Sequence, residues 1–302
     1  MHTGVANPVV SMRLECCMLL WQAVVLGLIQ GLTEFIPISS TGHLTLAGKA
    51  LGLIHPDSPE RWTAFMAVIQ LGTLAAVLTY FLSDIVAIVR GFLMTNLALV
   101  ARRTPSGADR DNARLGWLII LGTAPTAVVG LLLKNTIEGG LTKNLWVIAS
   151  SLIVVALLLG LAELVGTRKR ELKTMRWTDA LIFGVAQVFS LIPGSSRSGT
   201  TITAGLLAGL TRASAARFSF LLSIPAIAAS GIFELPSALG ARDMGWTTLI
   251  AAVVAAGVFG YLSIAFLLRF LERHSTYVFV AYRIALGLVI VALLASGTVT
   301  PD

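Results

Sequence analysis

Long apolar stretches separated by short charged segments dominate the chain. A helix needs about 20 apolar residues to cross the hydrocarbon core of a bilayer. The segment 84–100 is apolar but carries Asp84 and Arg90, so we expect an interfacial helix there rather than a span. Six other stretches predict transmembrane helices: 63–82, 115–134, 145–165, 216–235, 246–268 and 277–296.

Two further apolar regions, 18–53 and 177–210, are interrupted in the middle by polar loops. The first loop, from Gln30 to His43, reads Gln-Gly-Leu-Thr-Glu-Phe-Ile-Pro-Ile-Ser-Ser-Thr-Gly-His. The second, at 193–201, reads Pro-Gly-Ser-Ser-Arg-Ser-Gly-Thr-Thr. Polar groups at membrane depth are unfavourable unless they serve a site. Each region therefore predicts a re-entrant hairpin of two half-depth helices, and we expect the two loops to form one site.

The two halves of the chain resemble each other. Segment 27–30 matches 184–187 at an offset of 157, and segment 37–40 matches 193–196 at an offset of 156. Inverted repeats bring two broken helices together near the middle of the membrane. The sequence thus predicts an all-α polytopic membrane protein with six transmembrane helices and two re-entrant helix hairpins in an inverted-topology repeat, whose halves span about 18–165 and 177–296.

Composition supports this fold class and excludes others. Only 12% of the 302 residues are charged, against about 25% in a soluble domain. The net charge of +7 comes from Lys and Arg that lie mostly between apolar spans, so it indicates orientation in a bilayer and argues against nucleic-acid binding. The basic residues concentrate on segments that we therefore place on the cytoplasmic side, with both termini outside: 83–114, 166–176, 211–217 and 269–276.

The chain ends add little chemistry. Residues 1–17 predict an N-terminal extension before a single integral membrane domain at 18–296, and 297–302 form a C-terminal tail. Met12 and Met18 are equally good starts for the working chain. Cys16 and Cys17 are adjacent, a spacing that fits neither a zinc site nor a disulfide framework.

The first polar loop carries a carboxylate, serines and a histidine. Gln30 and Glu34 stand four residues apart and share one helix face. Pro37 disfavours helix at the residue before it, and Ser39 or Ser40 is a good N-cap for the returning helix. His43 then lies in the first turn of that helix, where it is either functional or only a cap or interfacial group.

The second loop repeats this device around a guanidinium. Pro193, Gly194 and the pair Ser195–Ser196 precede a helix that we expect to begin near Ser198, with Arg197 at its mouth. Two helix N-termini, several hydroxyls and an arginine are typical of an anion site, most often for phosphate. Glu34 in such a site indicates either a bridging divalent cation such as Mg²⁺ or acid–base work on the reacting oxygen.

Other polar residues have simpler explanations. We expect hydroxyls in membrane helices to bond backbone carbonyls at Thr33, Thr45, Thr200 and Thr203. Gln70 and Gln187 are expected to bond between helices, and Glu163 to be solvated at the end of its span. Arg283 lies inside the last span, and the alternatives are pairing with Glu34 or the substrate, or snorkelling to the interface.

These residues closely resemble the undecaprenyl-diphosphate phosphatase family, also called bacitracin-resistance proteins. The first loop is similar to that family's (Glu/Gln)-x-x-x-Glu motif, and the second to its Pro-Gly-x-Ser-Arg-Ser-x-x-Thr motif. The likeness covers about residues 20 to 296 and includes Tyr282 and Arg283. One departure is that the first motif position is Gln30 rather than Glu, which leaves a single carboxylate for metal or proton work.

The resemblance implies hydrolysis of undecaprenyl diphosphate to the monophosphate and phosphate at the outer face of the bacterial cytoplasmic membrane, which recycles the lipid carrier of cell-wall synthesis. It implies a divalent cation, Mg²⁺ or Ca²⁺, with Glu34 as ligand, contacts with membrane lipids, and a homodimer. The residues given catalytic roles are Glu34, Ser40, His43, Ser196, Arg197 and Thr201, and those given substrate-binding roles are Gln30, Ser39, Gly194, Ser195, Ser198 and Arg283.

We expect Arg197 and the loop amides to hold the diphosphate, with His43 as general base for either water or a serine nucleophile. The alternative function is a transporter or flippase that carries a lipid phosphate through the same anion site, because inverted repeats are common in carriers. A second class of membrane phosphatase needs a histidine shortly after its Ser-Arg pair. It is disfavoured, because the next histidine after Arg197 is His274.

Overall fold

The structure, a computed structural model, describes residues 18–54, 59–102, 104–138, 143–240 and 245–301. The predicted extension at 1–17 lies outside these residues. The described regular structure is helical apart from one isolated β-bridge. The α-helices are α1 (Leu20–Phe35), α2 (Ser40–Ala50), α3 (Pro59–Tyr80), α4 (Leu82–Val100), α5 (Gly107–Leu132), α6 (Lys134–Glu138), α7 (Leu145–Val165), α8 (Trp177–Phe189), α9 (Arg197–Leu207), α10 (Arg212–Gly240), α11 (Trp246–Arg273) and α12 (Tyr277–Ala295).

The helices that can cross a membrane agree with the predicted spans. Among the described residues, seven helices are long and apolar enough: α3, α4, α5, α7, α10, α11 and α12. Six of them coincide with the six predicted stretches. The chain is therefore a multi-pass membrane protein, and its fold class is confirmed.

Helix α4 is the seventh candidate, where the sequence predicted an interfacial helix. It runs antiparallel to α5, since Gly91 lies against Asn112 while Ile88 lies against Gly116. It thus packs along the N-terminal half of α5, near the point where Arg114 donates to a carbonyl in the segment between α7 and α8. Its length permits a span, and the interfacial position stays a prediction.

The two predicted hairpins are present as pairs of short helices. Helix α1 ends at Phe35 because Ile36, which precedes Pro37, is extended (φ −68°, ψ 135°). Helices α1 and α2 form the first hairpin, and α8 and α9 form the second. Neither α1 nor α8 is long enough to span a bilayer, at 16 and 13 residues.

The hairpins enter the bundle from opposite ends. At one end Lys49, near the end of α2, donates to the Thr300 carbonyl, and the Leu145 amide at the start of α7 donates to the Pro301 carbonyl. At the other end Arg170 joins the start of α8 to the end of α9 through Asp179 and the Ala208 carbonyl. This arrangement is the one an inverted repeat requires, although the repeat itself stays a prediction.

The end of α7 is tied to its neighbours by a buried carboxylate. Glu163 is 2% exposed and accepts from Arg168, Arg212 and the Thr276 hydroxyl. The expectation that Glu163 is solvated is wrong. Buried charges need such partners, and this cluster joins the end of α7 to the segments that begin α10 and α12.

Small residues let the hairpins pack closely against the spans. A Cβ added to Gly27 or Gly31 of α1 would meet the backbone of α11 at 2.2 and 2.6 Å. In the second hairpin, a Cβ on Gly184 of α8 would meet the Gly122 carbonyl of α5 at 2.7 Å. Close backbone approach of this kind is typical of helix packing in membranes. This packing holds α1 against α11 and α8 against α5, and it thereby sets the position of the two polar loops in the bundle.

Candidate active site

The two polar loops have the same local geometry where each returns into a helix. Ser39 caps α2 with φ 78° and its hydroxyl oxygen accepts from the Gly42 amide, while Ser196 caps α9 with φ 69° and accepts from the Gly199 amide. Positive φ is strained for a serine and persists where surrounding contacts impose it. The two capping residues, Ser39 and Ser196, match at an offset of 157. Helix α9 begins at Arg197, one residue before the predicted start near Ser198.

Glu34 joins the two loops. Its carboxylate oxygen Oε1 accepts from Nη2 of Arg197 at 2.7 Å, and Oε2 accepts from Nε2 of Gln30 and from the Ser40 hydroxyl, both at 2.8 Å. Glu34 is 6% exposed. The expected meeting of Glu34 and Arg197 at one site is confirmed by this ion pair, which joins residues 163 positions apart.

Ser198 provides a second link between the loops. Its hydroxyl lies 3.2 Å from the Ile36 carbonyl and 3.4 Å from the Glu34 carbonyl, and also 3.1 Å from Oγ of Ser196. The side chain is buried. Ser198 therefore holds the end of α1 against the start of α9, rather than facing a ligand.

Arg283 of α12 lies behind both loops and is fully buried. It donates to the Pro37 carbonyl of the first loop at 3.2 Å and to the Gly194 and Ser195 carbonyls of the second at 3.2 and 3.0 Å. It also donates to the Ser151 and Leu152 carbonyls of α7. Its three guanidinium nitrogens are thus all engaged with backbone.

These contacts correct the expectations for Arg283. Snorkelling is wrong because the side chain has no exposed surface, and pairing with Glu34 is wrong because Arg197 occupies that position. The predicted role in binding substrate is replaced by a positioning role. A guanidinium donates in several directions in one plane, which suits a residue that connects two loops and a helix.

A small polar cavity of about 190 Å³ lies where the loops meet. Glu34, Ser40, Gly194, Ser196 and Arg197 line it, so five of the predicted site residues share one space. The other lining residues that carry a polar side chain are Thr41, Gln70, Thr126, Gln187, Ser190 and Ser230. The cavity combines a guanidinium, a carboxylate, hydroxyls and amides, a set suited to an anion that undergoes proton transfer.

Some buried polar atoms at this cavity, two donors and one acceptor, lack a partner among the described residues. Among the described residues, Nη1 of Arg197 and both Oε1 and Nε2 of Gln187 make no hydrogen bond. Gln187 is 0% exposed, and an unpaired buried polar group costs about 1–3 kcal/mol. These atoms are therefore available to a ligand that enters the cavity. Oε1 of Gln30 is likewise unpaired within the described residues, although Gln30 does not line the cavity.

Gln187 is the site residue that the sequence interpretation missed. It was expected to bond between helices, yet the structure shows no such bond among the described residues. A signal was available: Gln187 matches Gln30 at the offset of 157, and Gln30 belongs to the first motif. Gln70, assigned in the same way, also lines the cavity.

Thr201 is close to the site but engaged elsewhere. Its hydroxyl bonds the Arg197 carbonyl at 2.6 Å and Oγ of Ser219 on α10 at 2.6 Å, and the residue is fully buried. It supports Arg197 from behind rather than lining the cavity. The predicted backbone bonds of Thr33, Thr200 and Thr203 are confirmed, whereas Thr45 has no partner among the described residues.

His43 faces α12 and is absent from the cavity lining. Its Nδ1 lies 2.7 Å from the Ser39 carbonyl, and its Nε2 lies 2.6 Å from the Tyr282 hydroxyl, with the two rings stacked. A carbonyl only accepts, so we assign the proton to Nδ1 and let Nε2 accept from Tyr282. The predicted role of His43 as general base finds no contact with Glu34, Ser40 or Arg197 in the described residues.

The residues present do not fit a metal held by the protein alone. Among the described residues there is no group of three or more His, Cys, Asp and Glu side chains close enough to bind an ion. Within the described part of the chain, Glu34 is the only carboxylate lining the cavity, and both its oxygens are engaged with Arg197, Gln30 and Ser40. A hard divalent cation needs several free oxygen ligands, which this arrangement does not offer.

Comparisons with known proteins agree with the motifs. The family model described as "Bacitracin resistance protein BacA" matches residues 23–289. The chain belongs to this family. The undecaprenyl-diphosphatase of Syntrophobacter fumaroxidans is 56% identical over 269 residues, which cover 88% of this chain and 94% of that protein. The family resemblance predicted from the two loops is thereby confirmed.

More distant family members cover the chain equally well. The undecaprenyl-diphosphatase of Chloroherpeton thalassium is 47% identical over 288 residues, covering 91% of this chain and 97% of that protein. That of Mycobacterium marinum is 46% identical over 283 residues, covering 92% and 96%. The similarity therefore extends over both hairpins and all the spans, rather than over the motifs alone.

Proposed function

We propose that this protein hydrolyses undecaprenyl diphosphate to undecaprenyl phosphate and phosphate, and so recycles the lipid carrier of cell-wall synthesis. Family membership and relatives named undecaprenyl-diphosphatase support this activity. The observation that carries it is the contact of Glu34 with both Ser40 and Arg197 at one buried cavity. In this proposal Glu34 is the base, Ser40 the nucleophile and Arg197 the group that binds phosphate.

In this proposal the cavity binds the diphosphate through groups that lack partners among the described residues. Nη1 of Arg197 and Nε2 of Gln187 are buried donors, and both residues line the cavity. A phosphate oxygen satisfies such donors and gains a charge-assisted bond to the guanidinium. The start of α9 at Arg197 adds the positive end of a helix dipole. Together these groups stabilise the charge that spreads over the phosphoryl oxygens in the transition state.

Ser40 is the nucleophile in this proposal. Its hydroxyl already donates to Oε2 of Glu34 at 2.8 Å, the distance at which a carboxylate can accept the proton. Ser40 Oγ attacks the terminal phosphorus and its proton passes to Glu34. The bond from phosphorus to the bridging oxygen breaks, and undecaprenyl phosphate leaves. The proton on Glu34 passes to the leaving undecaprenyl phosphate, so Glu34 is again a base. Water then attacks the phosphoserine and gives a proton to Glu34, which returns it to Oγ of Ser40 as the bond from Oγ to phosphorus breaks and phosphate is released.

His43 acts as a positioning residue in this scheme. Its bonds to the Ser39 carbonyl and to the Tyr282 hydroxyl connect the cap of α2 with α12. Ser40 follows Ser39 directly, so His43 sets the direction of the nucleophile without touching the reacting atoms. The general base assigned to His43 from the sequence is therefore given to Glu34 instead.

A divalent cation, Mg²⁺ or Ca²⁺, is proposed only as a companion of the substrate. Since the described residues offer no free set of ligands, a cation would have to come with the diphosphate, whose charge it would reduce. None of the steps above passes through it.

We propose that the protein lies in the bacterial cytoplasmic membrane with the site open to the outer face. The concentration of Lys and Arg on one set of connecting segments supports this orientation. The first hairpin then enters from outside and the second from the cytoplasm. A homodimer rests on the resemblance alone, and light scattering of the detergent-solubilised protein tests it.

Phosphate release from C55 diphosphate by the purified protein in detergent tests the function. We expect Arg197→Ala, Glu34→Gln and Ser40→Ala each to lower turnover at least a hundredfold. The matched control Arg269→Ala, at an exposed position on α11, should keep turnover. Near-normal hydrolysis by the Arg197 or Glu34 variant would overturn the proposal. Lipid movement in vesicles without phosphate release would favour the flippase alternative.

A further inference from the structure

A second and larger cavity, of about 770 Å³, lies between α7, α8 and α9. Its walls are apolar side chains of those helices, among them Val154, Leu158, Ile182, Ala186 and Leu207. Several of these residues are also strongly exposed on the surface of the bundle, as Val154 is at 54%. The cavity therefore opens toward the hydrocarbon that surrounds the spans.

Three of the polar residues that line this cavity are satisfied internally. Thr203 donates to the Gly199 carbonyl at 2.7 Å, Thr200 to the Arg197 carbonyl at 3.0 Å, and Ser151 to the Pro193 carbonyl at 2.7 Å. Their hydroxyls are thus turned to the backbone and leave carbon atoms for a ligand. The cavity suits a hydrocarbon chain and offers little to a polar molecule.

The apolar cavity adjoins the polar one. Ile192 lines both, Ser195 lines the apolar cavity, and Gly194 and Ser196 line the polar cavity. The second loop therefore separates the two spaces by the thickness of one stretch of chain. Since the two cavities share Ile192, the head of a molecule in the polar cavity lies one stretch of chain away from the apolar one.

We propose that the cavity between α7, α8 and α9 binds the first isoprene units of the lipid tail. This inference rests on the proposed function, because it assigns the tail of the same substrate. Transfer of a tail from bilayer hydrocarbon to an apolar protein surface gains little hydrophobic free energy. The cavity therefore acts by orientation: it holds the tail on the side of the second loop, so that the terminal phosphorus faces Ser40.

Filling the cavity tests the inference. Val154→Trp and Ala186→Trp place a large ring in it, and Leu157→Trp is the matched control, on α7 and 58% exposed but not part of the cavity lining. We expect the two cavity variants to lower kcat/KM for C55 diphosphate at least tenfold and to change that for methyl diphosphate, which has no isoprene unit, less than twofold. Equal effects of all three tryptophans on C55 diphosphate, or none, would overturn the proposal.

Photolabelling locates the bound lipid tail without requiring turnover. A polyprenyl phosphate with a diazirine in its first isoprene unit should label α7, α8 or α9 at the cavity, and undecaprenyl phosphate should displace it. Labelling elsewhere, or equal displacement by phosphatidylethanolamine, would overturn the inference and indicate a general lipid groove. A protein that labels as expected but releases no phosphate from C55 diphosphate would refute the proposed function and leave the tail site in place.

Discussion

Replacing Arg283 by lysine keeps the buried charge and removes the geometry that joins the two loops. Arg283 donates from three nitrogens to five carbonyls, which belong to both loops and to α7. A lysine has three donors on one nitrogen, so at least two carbonyls lose their donor. At about 1–3 kcal/mol for each unsatisfied buried acceptor, the variant should lose about 2–6 kcal/mol. This loss falls on the contact between the loops, because Arg283 reaches the Pro37 and Ser195 carbonyls from two different nitrogens.

The assay measures thermal unfolding in detergent together with phosphate release. We expect Arg283→Lys to lower the unfolding midpoint and to reduce kcat by more than tenfold, since Glu34 and Arg197 would no longer be held in register. Arg269→Lys, the same change at an exposed position of α11, should leave both quantities within error. An Arg283→Lys protein with the wild-type midpoint and wild-type kcat would show that the loops meet without this guanidinium.

Three further substitutions test individual contacts. Gln187→Met leaves the cavity without its unpaired amide and should raise KM for the diphosphate about tenfold, which corresponds to one hydrogen bond of about 1.4 kcal/mol in steady-state kinetics. Tyr282→Phe removes the hydroxyl bonded to His43 but keeps the stacked ring, so kcat should fall less than threefold. A hundredfold fall in kcat would show that His43 takes a direct part in catalysis. Gly194→Ala adds a Cβ that would meet the Ile148 carbonyl at 2.5 Å in a residue with φ 87°, so phosphate release should be lost, whereas Gly297→Ala, with φ 69° but no atom within 4 Å, should stay active.

The spans and hairpins were predictable because membrane depth imposes simple rules. A run of about 20 apolar residues has few alternatives to a spanning helix. A proline and several hydroxyls within such a region indicate a break that needs partners elsewhere. The meeting of Glu34 with Arg197 follows from the same rule, since each buried charge requires the other. Helix α4 was less clear because its apolar length and its two charges point to different positions.

The details of the site depend on contacts that spacing does not report. The proline-based alignment paired Ser39 with Ser195, yet the backbone gives the cap geometry to Ser196. The sequence predicts that the Gln187 amide bonds between helices, because a sequence does not show whether a buried amide finds a partner. The five carbonyls that Arg283 reaches lie in three distant parts of the chain. The sequence does not reveal these contacts, so it leaves substrate contact open for Arg283.

The ion pair between Glu34 and Arg197 also bears on which molecules the enzyme ignores. In the resting protein the guanidinium has its own counter-ion at 2.7 Å, so the pair is electrically neutral as a unit. Soluble anions such as inorganic phosphate or nucleotides then meet little net attraction, and of the two terminal nitrogens only Nη1 of Arg197 is unpaired within the described residues. A lipid held at the mouth of the site is present at a far higher effective concentration. The unliganded protein therefore already discriminates against the abundant soluble phosphates, before contacts with the lipid tail contribute.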